Sequence, residues 1–256
     1  MKSKSSDITF QVPTPKFTGR WELTKLSVLT FFDCFWFIFK IVIPIYLPSE
    51  VLKTYLFPDA EKQFSQIHSY NNLMEIFFGT MLAPAVVYGV AHHLRSKTFP
   101  PVMEAYIFGI KKWFHLLGQQ IIGGMILLVG LLFLIVPGIF VFISYSLIVP
   151  VVCFDGAGRK KWLKKSRELT IGSRKIIFIV SINLLLLTVL FVEAVKLTPN
   201  ITEFLFNQTF NTNSIEYILE NLLEYIFTVF TLLFYLKARK DRRKKPKEFW
   251  FLRWAR

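Results

Sequence analysis

The chain has 256 residues, 53% of them hydrophobic and 17% aromatic, and a formal net charge of +14 from 31 basic and 17 acidic residues. Several near-uncharged apolar runs of about 20 residues, each long enough to cross a bilayer core of roughly 30 Å, exclude an ordinary soluble domain. In such a chain the basic excess belongs to membrane topology rather than to a nucleic-acid footprint, so no nucleic-acid partner is expected.

Residues 1–25 form a polar, basic tail in which Pro13 and Pro15 oppose helix, and they lack the apolar core of a cleaved signal. The first helix, expected over Leu26–Leu47, is then its own insertion signal. It carries Asp33 and Lys40, seven residues apart and so on nearly the same face. Either Lys40 snorkels while Asp33 lies at headgroup level, or the two join Asn183 in an intramembrane polar site.

Residues 48–72 read as a polar connection. Helix two is expected over Leu73–Leu94, where Gly79…Ala83 and Ala85…Gly89 let another backbone approach closely. Residues 95–115 are basic and contain Pro100-Pro101. Beyond the prolines, Val102, Ala105, Tyr106, Gly109 and Trp113 recur as on an interfacial helix. Helix three follows over Leu116–Val136, then a tight turn at Pro137-Gly138, then helix four over Gly138–Phe154 with a kink expected at Pro150.

The next loop, 155–175, holds eight cations: Arg159, Lys160, Lys161, Lys164, Lys165, Arg167, Arg174 and Lys175. Its amphipathic segment can turn Trp162, Leu163, Ser166 and Leu169 toward lipid while the lysines reach phosphate level. Helix five is expected over Ile176–Val195. An Asn/Thr-rich connection, 196–216, contains the sequons at Asn200 and Asn207, which matter only in a eukaryotic secretory pathway. Helix six spans Tyr217–Leu236, with Glu220 and Glu224 one turn apart, either a cation or proton site or a solvated face. The basic C-terminal tail, 237–256, ends with Trp250 and Trp254, which can drop back onto the membrane.

Lys/Arg residues crowd the two tails and the loops 95–115 and 155–175. The alternate connections hold three, Lys53, Lys62 and Lys196. The positive-inside rule then gives an all-α polytopic membrane protein, with about six transmembrane helices in three hairpins and both termini cytoplasmic. A weak repeat, Gly109-Ile-Lys111-Lys112 and Gly172-Ser-Arg174-Lys175 before helices three and five, with a degenerate third copy at Thr18-Gly19-Arg20, suggests a glycine hinge in each unit.

Chemistry-bearing patterns are missing. Cys34 and Cys153 are too few for a disulfide framework or a thiolate site, and His68, His92, His93 and His115 have no metal-ligand spacing. No phosphate loop, dinucleotide fingerprint or nucleophile elbow occurs, and the carboxylates are scattered. The chain therefore reads as non-enzymatic, without catalytic residues, metal or cofactor.

Ile135-Val136-Pro137-Gly138-Ile139, then Val149-Pro150-Val151-Val152, then Lys165-Ser166-Arg167-Glu168-Leu169-Thr170-Ile171-Gly172 form an ordered set. Together with the upstream Glu104-Ala105-Tyr106…Gly109 it resembles the bacterial membrane-domain family found fused to glycerophosphodiester phosphodiesterases, and its stand-alone relatives of unknown function. The resemblance covers roughly residues 95–195 and implies a six-helix module of the inner membrane. The chain has no phosphodiesterase domain, so that hydrolytic activity does not carry over, and the membrane module has no established ligand site to transfer.

Two functions follow as expectations. The first is a module that organises anionic lipids or a protein partner through its basic cytoplasmic face, which includes the eight loop cations, Trp162, Trp250 and Trp254. The second is a small-molecule or lipid transporter-like subunit, which requires a polar path joining residues such as Asp33, Lys40 and Asn183.

Overall fold

The computed structural model describes residues 19–57, 64–133, 135–155, 159–196 and 212–244. In order they form α1 (Arg20–Asp33), α2 (Phe35–Leu56), α3 (Phe64–Met74), a π-helical turn (Glu75–Gly79), α4 (Thr80–Ser96), α5 (Val102–Phe133), α6 (Ile135–Tyr145), α7 (Ile148–Phe154), α8 (Arg159–Thr170), α9 (Arg174–Lys196) and α10 (Thr212–Lys244). No strand occurs among the described residues.

Five stretches are long and apolar enough to cross a membrane: Phe35–Leu56, Ser65–Ser96, Val102–Gly130, Arg174–Val195 and Tyr217–Asp241. Gly138–Phe154 is equally apolar but shorter. Helices satisfy their own backbone groups, which is what a chain in hydrocarbon must do. The protein is an all-α polytopic membrane protein.

The bundle is built around α4. Leu82, Ala85, Val86, Val87, Val90 and Ala91 are all fully buried, with α2, α5, α7 and α10 packed around them. Small residues make this possible. A Cβ at Gly89 would collide with the Phe37 ring from α2, and one at Gly109 would lie 2.5 Å from the Met81 carbonyl oxygen on α4. Of the two expected small-residue spacings, Ala85…Gly89 serves close packing, whereas a Cβ at Gly79 would make only ordinary contacts.

Gly109 is consequently a contact point and not a hinge. α5 runs unbroken through it, which removes the expected hinge from that copy of the repeat. Gly172, at φ 85°, does turn the chain between α8 and α9. The stripe Val102, Ala105, Tyr106, Gly109 and Trp113 also differs from expectation. It faces protein: Ala105 is fully buried, the Tyr106 hydroxyl donates to the Ile41 carbonyl at 2.6 Å, and the Trp113 indole N–H donates to the Phe77 carbonyl at 2.8 Å.

The expected first helix is two helices divided at Cys34. α1 buries Leu23, Ser27, Thr30 and Phe31 against α9 and α10. α2 alone makes the span and continues past Leu47 to Leu56, with Pro44 and Pro48 inside it. Proline releases a carbonyl one turn back, and a membrane helix tolerates this when side chains supply donors. The carbonyls released by Pro44 and Pro48 are those of Lys40 and Pro44. On the flanks of the prolines the Ser49 hydroxyl donates to the Tyr46 carbonyl at 2.9 Å and the Tyr70 hydroxyl to the Ser49 carbonyl at 3.0 Å. In the π-turn, the Thr80 hydroxyl donates to the Ile76 and Phe77 carbonyls.

The turn expected at Pro137-Gly138 is displaced. Both residues lie in the first turn of α6, and α5 ends before them at Phe133. A proline in a first turn forfeits no intrahelical bond, which explains the shift. Pro150 has the expected effect: the helix breaks at Ser146-Leu147, one turn upstream, separating α6 from α7. The nearby Ser144 carbonyl accepts the Ser166 hydroxyl at 2.8 Å, which ties α8 to the break.

Candidate functional site

Polar side chains concentrate at the two opposite ends of the bundle. At the basic end, Asp155 follows α7 with its carboxylate 3% exposed. Lys165 Nζ lies 3.0 Å from one oxygen and an Arg239 guanidinium nitrogen 3.8 Å from the other. One buried acid thus fastens α8 and α10 to the end of α7.

α8 reaches this position because its apolar stripe finds protein. Trp162, Ser166, Leu169 and Thr170 are buried, and the Trp162 ring meets His115 edge-on at 5.4 Å. This corrects the expectation that Trp162, Ser166 and Leu169 face lipid, since α6 and α7 lie close enough to cover them. Leu163 is half-buried against the same core.

The consequence is electrostatic. With its apolar side covered, α8 turns Lys164 and Arg167 outward, and Lys175 is exposed just beyond the Gly172 bend. Lys165 is diverted to Asp155, and the Arg174 guanidinium lies 5.5 Å from the centre of the Phe140 ring. Arg159, Lys160 and Lys161 occupy the first turn of α8, where only the backbone path is described. Trp250 and Trp254 lie outside the described residues. A shallow pocket at this end is lined by Gly19, Ser173, Phe234, Lys237 and Asp241, among others.

The suggested intramembrane site is not assembled. Asp33 and Lys40 are exposed. Asn183 is half-buried with an Nδ2 that makes no hydrogen bond. Asp33 instead sits at the α1–α2 junction, within electrostatic range of His93 and Lys97 at the end of α4.

The opposite end holds a group built on Glu50 and Lys53, two charges of the segment expected to be a polar connection. The Glu50 side chain is fully buried and pairs with Lys53 one turn on. The Lys53 ammonium also lies 4.8 Å from the centre of the Tyr217 ring. That ring belongs to α10, and its hydroxyl donates to the Asn71 carbonyl of α3 at 3.2 Å. The Tyr46 ring stands edge-on to Tyr217 at 6.0 Å. Glu50 and Glu75 both lie within electrostatic range of Tyr217, and Glu75 within range of Glu224.

An ammonium is therefore already held here by a carboxylate and an aromatic face. The usable signal in the sequence was Tyr46, Glu50 and Lys53 at helical spacing, obscured by Pro48 as an apparent helix end. Among the described residues, no cluster of three or more metal-ligating side chains occurs.

No family model, curated protein or solved structure matches the chain.

Proposed function

We propose that the protein is a non-enzymatic multi-pass membrane module that gathers anionic lipid headgroups at its basic end. In this reading the basic end faces the cytoplasm, with both termini on that side, and the membrane is the inner membrane of a bacterium. The observation that carries the reading is the seating of α8. Its apolar stripe is spent on the bundle, so Lys164 and Arg167 project away from protein, beside Lys175.

Charges that only fix orientation need no such seating. Each juxtamembrane cation near an anionic surface contributes about 1 kcal/mol, so three contribute about 3 kcal/mol, or roughly a hundredfold in affinity. The transporter reading requires Asp33, Lys40 and Asn183 to line one path, and their placement does not favour it.

The test uses the full chain in nanodiscs of phosphatidylcholine with a minor fraction of phosphatidylglycerol. Lipid retained on the protein is then measured after release from the disc. Enrichment of phosphatidylglycerol that falls at least tenfold in Lys164→Gln/Arg167→Gln/Lys175→Gln, and falls with added salt, is expected. Retention in proportion to the bulk mixture would overturn the proposal.

A further inference from the structure

The group around Glu50 and Lys53 is expensive for the fold. Removing two opposite charges from water costs about as much as their attraction returns, and an apolar pair of similar volume usually serves stability as well. Glu50 Oε1 accepts no hydrogen bond although it is fully buried. The pair lies in the last two turns of a membrane-spanning helix, where a buried ionisable group facing the protein interior is a candidate binding site. The π-turn beginning at Glu75 points the same way, because such turns collect at functional sites.

We infer that the Glu50 carboxylate and the Tyr217 ring form a cage for an organic ammonium ion, and that the Lys53 ammonium is its internal occupant. Three features define the ligand class. Two carboxylates in range of the Tyr217 ring, Glu50 and Glu75, outnumber the one lysine seated on it among the described residues. The cation is held against a ring face, a contact that suits weakly hydrated ammonium groups better than small metal ions. The cage also has an edge: the Lys53 side chain is 11% exposed, Tyr70 and Tyr217 are half-buried, and Glu75 and Glu224 are exposed.

An incoming amine passes the two exposed carboxylates and exchanges with the Lys53 side chain, which swings out on its flexible stem. Lys53 therefore competes with the ligand and sets its affinity. This site stands at the end of the bundle opposite α8 and does not depend on the lipid reading of that end.

The experiment is calorimetric titration of the full chain in detergent with ethylammonium and tetramethylammonium chloride, against sodium chloride at equal ionic strength. Weak saturable binding of the organic cations is expected. Lys53→Met should tighten it at least tenfold, and Glu75→Gln/Glu224→Gln, at exposed positions, should weaken it several-fold. Tyr217→Phe should keep the binding and Tyr217→Leu should lose it. Lys53→Met leaves Glu50 buried without its partner; the double change Lys53→Met/Glu50→Gln removes both charges and should fold without binding the amines. The same titration in nanodiscs with and without phosphatidylethanolamine separates a free amine from a lipid headgroup: competition by the lipid assigns the ammonium to the membrane. Heats equal to those of sodium chloride in every variant, or binding indifferent to Glu50 and to the Tyr217 ring, would overturn the inference.

Discussion

Gly89 and Asp155 show how single side chains hold this bundle. Gly89 receives the Phe37 ring where any Cβ would collide with it. Gly89→Val should therefore lower stability by about 1–3 kcal/mol, the usual cost of overpacking, read as a fall in the thermal midpoint in detergent. Asp155 acts through charge instead. Asp155→Asn removes the acid shared by Lys165 and Arg239. Lys165 is 40% exposed, so the expected loss is about 1–3 kcal/mol, below the ~3–5 kcal/mol of a fully buried pair. Faster amide exchange should appear in α8 and the end of α10 while α4 stays protected. Uniform change across the bundle would contradict the local clamp.

Among elements, the kinked and broken helices depend on donors from their neighbours. Ser166 donates to the Ser144 carbonyl beside the α6–α7 break, and Trp113 to the Phe77 carbonyl in the π-turn. Ser166→Ala should cost about 1 kcal/mol or somewhat more, because a buried acceptor is left without its donor, and Trp113→Phe should cost less, because its acceptor lies at an exposed position. Exchange should quicken at the break in the first variant and at residues 75–79 in the second. These dependencies also explain what could be read in advance. Apolar length located the spans, and Pro150 marked its break, because both effects are local to the chain. The passage of α2 through Pro44 and Pro48 was not legible, since two prolines so close together read as a helix end when the chain is taken alone. The lipid-facing assignment of Trp162 failed for a related reason. A hydrophobic stripe states that something covers it, but not whether that is lipid or His115.

For the whole molecule, charge asymmetry and core position are the governing features. In the orientation we propose, a cysteine placed at Lys97 reacts with a membrane-impermeant maleimide only after the cytoplasmic side is opened. A cysteine at Leu56 reacts from outside in intact cells. The reverse pattern would invert the topology. Cys34 and Cys153 are both buried and free, so they contribute little background labelling. The basic end was legible as a count of lysines and arginines, whereas its sorting into outward, paired and ring-bound cations required the packing of α8. The cage around Glu50 was illegible because Tyr217 and Glu50 come from opposite ends of the chain.

The enclosure of α4 has a consequence for how this protein can vary. A helix with one face on the core tolerates change at a period near 3.6 residues. α4 has no outer face from Pro84 to Ala91, so its tolerance there should show no period at all. A complete substitution library scored by surviving folded protein should give a continuous forbidden block there. The outer half of α5, where Ile121, Met125, Leu128 and Leu132 are exposed, should accept nearly any apolar residue. Relatives that diverged far enough to escape sequence comparison would then keep α4 as their last shared text.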